Sequence, residues 1–220
     1  MRFLSSRKLS IVLPLLALAF AMGTAILPTV HSQQLYAVNK AEPMYKLSAT
    51  GQVAMRLTGT LNLFGTSTLH NWTMTAHQLQ GTAQFNLTDN GELESVSALT
   101  FILPVHNLKG EKDGLNDNAY EALKADKYKD IRFVMTNSKI TPSGSGKYVI
   151  HANGNLTIAG VTRPIAMDVN AQVQSNGTVT CQGSYALKMS DYNVDRPSFM
   201  LGAMKTGDAL TLTYSLVFVK

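Results

Sequence analysis

The chain has 220 residues, of which 45% are hydrophobic and 15% charged, and a formal net charge of +5. Charges this sparse and mixed in sign exclude a disordered polyelectrolyte and give no basic field for holding nucleic acid. The single cysteine, Cys181, excludes an intramolecular disulfide, so the fold must rest on its core.

The N-terminus carries Arg2, Arg7 and Lys8, then an uncharged apolar run from Ile11 to Leu27, then a small and polar stretch ending His31-Ser32-Gln33. That layout predicts a secretory signal peptide over 1–32, cleaved after Ser32. Pro14 and Gly23 interrupt a run already short for a membrane span, which argues against an uncleaved anchor. Cleavage removes three basic residues and no acidic ones, so the charge falls to about +2. The expected compartment is therefore outside the cytoplasm, periplasmic or secreted. Residues 33–48 read as a leader, and 49–220 as one domain with a single core.

Within that domain apolar residues recur at every second position. Val53, Met55, Leu57 and Leu61 open the pattern. Leu79, Gly81, Ala83, Phe85 and Leu87 repeat it up to the turn Asp89-Asn90-Gly91. Leu99, Phe101 and Leu103 share one phase within Val96 to Val105. Period-two alternation means a strand with one dry and one wet face. Leu115, Ala119, Ala122 and Leu123 switch to helical spacing, and Asn118 with Glu121 offers a capping box. Alternation resumes over Ile131 to Ile140, which includes Phe133. Tyr148, Ile150, Ala152, Leu156 and Ile158 follow, then Ile165, Met167, Val169, Ala171 and Val173 after an Ala159-Gly160 turn. Asn176-Gly177 predicts a tight hairpin. Val179, Cys181, Tyr185 and Leu187, then Leu210, Leu212, Tyr214, Leu216 and Phe218, complete the series.

Eight strands at hairpin spacing with one helix indicate an all-β barrel or sandwich, the helix lying across one end. The inward phase mixes small residues (Gly81, Ala83, Ala152, Gly154, Ala171, Cys181, Gly183) with large ones. Such a mixture suits a barrel filled by tapering side chains and equally one that holds a small ligand.

Four segments carry a resemblance to a known family. They are GTSTLHNW (65–72), DNAYEALKADKYKDIRF (117–133), GNLTIAGVTRPI (154–165) and MSDYNVDRPSFMLGAMKTGDALTL (189–212). Together they resemble the YceI-like family, also called the lipid or polyisoprenoid-binding family. The resemblance implies an extended, lipocalin-like, antiparallel eight-stranded β-barrel with one helix covering an end. It also implies an exported bacterial protein, and a cavity holding a long isoprenoid or another lipid. On that reading the ligand lining comprises Leu99, Phe101, Leu103, Phe133, Ile150, Ala152, Met167, Val169, Ala171, Tyr185, Leu212 and Tyr214, with His70 and Trp72 at the family-like STLHNW segment. Asn193 stands where many relatives have glycine, and Asn tolerates left-handed backbone.

The residues assign no catalytic group, metal or cofactor. No histidine pair has the spacing of a helical metal site, and no G-x-S-x-G elbow is present. Two rivals to a lipid-binding protein stand: a barrel enzyme using His70 as acid or base, and a packed structural module without a ligand. Edge pairing between barrels would make a homodimer, though nothing in the residues demands one.

Overall fold

The alternation builds long antiparallel strands in the computed structural model, which describes residues 52–199 and 204–220. The expected signal peptide and leader lie outside the described residues. In chain order the elements are β1 (Gln52–Thr66), β2 (Asn71–Ala76), β3 (Gln80–Leu87), β4 (Leu93–Pro104), β5 (Lys109–Gly110) and helix α1 (Asp113–Ala122). Then come β6 (Asp130–Gly144), β7 (Lys147–Ile158), β8 (Val161–Val173), β9 (Val179–Lys188), β10 (Ser198–Phe199), β11 (Met204–Lys205) and β12 (Ala209–Val219). Single 3-10 turns occupy Val105–Asn107 and Met189–Tyr192.

The wall runs β1-β3-β4-β6-β7-β8-β9-β12 and closes where β12 pairs with β1 from Arg56↔Val219 to Phe64↔Thr211. This is the expected eight-stranded antiparallel barrel. Closure removes the exposed edges that an open sheet would present. Two staves are broken. β3 covers the first half of β1 and β2 the second half, so 71–87 is one stave interrupted at His77-Gln78-Leu79. Its neighbour breaks at the 3-10 turn, where β5 takes over from β4 and pairs with β2. The breaks are stitched by Asn107 Nδ2 donating to Gln78 O at 2.9 Å and by Thr60 Oγ1 lying 3.2 Å from His77 Nδ1. The NWTMTA stretch was not expected as a strand, because six residues give only three inward positions.

Bulges reset the phase where strict alternation fails. The β3–β4 ladder skips a residue between Gln84↔Ala98 and Phe85↔Val96, which lets Val96 and Leu99 both face inward. The last hairpin loop differs from the tight turn expected of Asn176-Gly177. Gln174 N donates to Thr178 O and Gly177 N to Gln174 O, both at 2.8 Å, and only Gly177 has a left-handed φ, of 79°. That is a type I turn followed by a glycine bulge. Asn193 is left-handed, with φ 52°, as its chemistry allows.

The helix starts earlier than the capping box implied. Its N-cap is Lys112, without a side-chain cap, and Asn118 lies inside the helix and donates to Gly114 O. Another residue ties it down. Asn116, whose amide is buried, accepts the Gly110 N–H at 2.6 Å. Tyr120 Oη donates to Leu108 O at 2.9 Å. Both bonds clamp the helix to β5 and the turn before it, across one end of the barrel.

The opposite end is solid. Met55, Phe85, Val179 and Phe218 are 0–1% exposed there, and the Phe85 and Phe218 rings meet edge to face at 5.2 Å. Several inward glycines do not enlarge the interior. A Cβ on Gly154 would sit 2.4 Å from the Phe133 ring, and one on Gly183 would sit 2.3 Å from Tyr214 Oη. These glycines let aromatic rings lie flat across a neighbouring strand.

Candidate functional site

Above the packed end the inward residues keep their phase but lose full burial. Leu99, Phe101, Met167, Val169 and Leu212 are all intermediate, although they point into the barrel. The space they face is a cavity of about 1040 Å³, larger than most small-molecule pockets. Phe85, Cys181 and Phe218 form its floor, strands on every side form its wall, and the underside of α1 (Leu115, Ala119, Ala122) helps close its upper end.

Thirteen of the fourteen sequence-predicted site residues line this space: Leu99, Phe101, Leu103, Phe133, Ile150, Ala152, Met167, Val169, Tyr185, Leu212, Tyr214, His70 and Trp72. Ala171 does not. It is 4% exposed and packs in the solid layer, one pair along β8 from Val169, opposite Tyr148 and Cys181. Period two assigns a face and carries no information on depth, so Ala171 and Val169 look alike in the sequence.

Other lining residues escaped the sequence reading. Leu61, Leu63 and Met74 come from β1 and β2, and Met189, Tyr192 and Val194 from the segment around the second 3-10 turn. Inward alternation in LNL and NWTM was available as a signal for the first three. The 3-10 segment has no period and is placed by tertiary contacts, its packing in one cluster with Ile158 and Ile165 and the hydrogen bonds of Ser190 to Asp208.

Trp72 lies against Gly65, its cross-strand partner, and its Nε1 donates to Thr66 O at 3.1 Å. The indole is thereby fixed as part of the wall. His70 sits on the exposed rim, in a turn where its carbonyl accepts from Ser67 N at 3.0 Å and Ser67 Oγ at 2.9 Å. Its ring is hydrogen-bonded to no carboxylate or hydroxyl among the described residues. Leu69 beside it is 69% exposed, and Glu111, Lys112, Lys188 and Lys205 complete the rim. Among the described residues no group of three or more His, Cys, Asp or Glu side chains converges, and no helix is long and apolar enough to cross a membrane.

The polar groups inside are neutral ones. Burial pushes the Cys181 thiol up to about 12. Burial likewise raises the Tyr192 phenol to about 12, helped by Tyr185 and Asp191 and opposed by Arg163. Tyr214 is raised above its ordinary value chiefly by burial, and Tyr185 by burial and then by Asp191. At neutral pH the interior therefore offers hydrocarbon and a few uncharged phenols. It can hold a long apolar molecule by area removed from water, and burial keeps Cys181 as the protonated thiol at neutral pH.

Comparison with known proteins gives a consistent result. The model of the YceI-like domain matches residues 60–218. Among solved structures, Burkholderia cenocepacia BcnA aligns with a TM-score of 0.57 at 19% identity, over 72% of this chain and 95% of that one. A polyisoprenoid-binding domain from Saccharophagus degradans, implicated in plant cell wall breakdown, also gives a TM-score of 0.57, at 13% identity over 75% and 97%. At these identities the likeness establishes the fold. No curated protein matches the chain significantly.

Proposed function

The chain belongs to the YceI-like family, and from that premise we propose that it is an exported, non-catalytic protein that holds a long isoprenoid or similar lipid in its barrel. One observation carries the reading: a cavity of about 1040 Å³ whose lining is chiefly apolar, with Leu, Ile, Val, Met and Phe side chains as its majority and the charged residues Glu111, Lys112, Lys188 and Lys205 at its rim. Each buried CH₂ contributes ~0.8 kcal/mol, so a five-carbon isoprene unit contributes roughly 3 kcal/mol before ordering costs. A few such units reach micromolar affinity without any charged recognition. The polyisoprenoid-binding description of the Saccharophagus domain supports the same class of ligand. Export rests on the signal-like N-terminus.

Trp72 is the sole tryptophan of the chain and lines the cavity, so its emission reports occupancy. Delipidated protein titrated with isoprenoid alcohols or quinones is expected to change Trp72 emission saturably, and native mass spectrometry of undelipidated protein to show a bound lipid. A barrel that takes up none of these and purifies empty would leave the packed, ligand-free module as the better description. N-terminal sequencing of protein from the periplasm or medium is expected to begin at Gln33. Retention of the protein in the cytoplasm with Met1 intact would refute export.

A further inference from the structure

β8 and β9 run on as strands for thirteen and ten residues, yet they share a ladder only from Asn170↔Gln182 to Val173↔Val179. Each is fully paired on its other side, β8 with β7 out to Ile158↔Val161 and β9 with β12 out to Ala209↔Lys188. The wall is therefore split between their upper halves. The split accounts for Pro164, which has no N–H to donate and is tolerated where a strand has an unpaired edge.

A groove lies over this split on the outer face, lined by both strands, and Ala152, Met167 and Tyr185 border the groove and the cavity alike. On the inside Tyr214 Oη reaches from β12 to Met167 Sδ on β8 at 3.6 Å, with the phenol lying over Gly183 of β9. At the top Arg163 Nε of β8 donates at 2.9 Å to Asp191 O, in the 3-10 turn that follows β9. The barrel has a second short ladder, between β4 and β6, but that gap is filled. Ser138 Oγ donates to Val96 O at 3.2 Å across it, and Leu93 N to the buried Tyr148 Oη at 3.1 Å.

We propose that the β8–β9 split is a lateral portal through which an extended hydrocarbon chain enters and leaves the cavity, with Tyr214 as its inner gate. This rests on the lipid-binding reading above. The outer lip is polar (His151, Asn153, Asp168, Asn170, Ser184), so a chain passes through it and comes to rest against the apolar wall inside. The thioether that holds the Tyr214 hydroxyl is a weak acceptor, which makes the gate easy to displace.

Continuing the ladder register past Asn170↔Gln182 would set Ala166 opposite Ala186, both exposed. The paired substitutions Ala166→Cys and Ala186→Cys therefore place a disulfide across the split, and the buried Cys181 stays out of the pairing. Uptake of geranylgeraniol by delipidated protein is followed by stopped flow through Trp72 emission. The oxidised variant is expected to load at least about tenfold more slowly than the same protein reduced, with the rate restored by dithiothreitol. Equal rates in the two forms would overturn the portal while leaving lipid binding intact. If the two introduced cysteines fail to pair, Tyr214→Ala decides: loading about fivefold faster supports the gate, and an unchanged or slower rate overturns it. Wild-type protein that takes up neither geranylgeraniol, quinone nor polyprenol would instead refute the lipid-binding reading, and the portal with it.

Discussion

Ala152 shows how much of the site depends on one side chain's size. It faces the cavity from β7, between Ile150 and Gly154, and its methyl leaves open space that a larger residue would occupy. Gly154 and Gly183 have the opposite role, since Phe133 and Tyr214 already fill the space above them. In the sequence all three read as small inward residues, and only the neighbouring strands distinguish them. Ala152→Phe is expected to grow into the void, so it should lower lipid affinity at least about tenfold while costing less than about 2 kcal/mol of stability. Titration through Trp72 emission beside a thermal melt checks both parts. Affinity unchanged by the substitution would mean that the ligand does not occupy the cavity. Val169 and Ala171 illustrate the same limit at neighbouring inward positions. One lines the cavity and the other lies beneath it, a difference of depth for which alternation has no sign.

At the scale of elements, long periodic strands were legible and short or aperiodic pieces were not. β7 to β9 and β12 carry five or more alternating positions each, so their inward face follows from the pattern, whereas β6 changes phase at the bulge between Met135 and Asn137. β2, β5 and the 3-10 turns are too short to show a period, yet β2 and the turn Met189–Tyr192 supply part of the cavity wall. The turn Met189–Tyr192 is held by one carboxylate. Asp208 accepts from Ser190 Oγ at 2.6 Å and from Ser190 N at 2.9 Å. These bonds, with Arg196 and Lys188 nearby, hold its carboxyl below the ordinary carboxylate range. The folded value is the depressed one. The stabilisation is therefore complete above the ordinary carboxylate pKa and is lost as pH falls through the folded value. Acidification is expected to loosen this turn before the barrel melts, seen as faster amide exchange at Ser190 and Val194. Asp208→Asn should show that faster exchange already at neutral pH. Exchange independent of both pH and the substitution would show that the carboxylate does not secure the turn.

For the whole molecule, stability and function separate along the barrel axis. The solid end supplies the close-packed core, and the hollow end gives up packing contacts to keep its cavity. Phe85→Ala removes a ring that is 0% exposed and set edge to face against Phe218, so it is expected to cost about 3–5 kcal/mol. Denaturant unfolding checks this. A loss under about 1 kcal/mol would mean that the solid end is not the main source of stability. The amino-acid sequence by itself determined the all-β class, the eight staves, the helix between them and eleven of the cavity's lining residues, because a period of two assigns each side chain to a face from local information alone, while His70 and Trp72 were marked by the family-like segment. Only the tertiary structure decided how far along the axis the packing stops, which glycines are covered by aromatic rings, and where the wall splits. Those features depend on which strands lie side by side and at what stagger, and distances between segments far apart in the chain are not written in any local period.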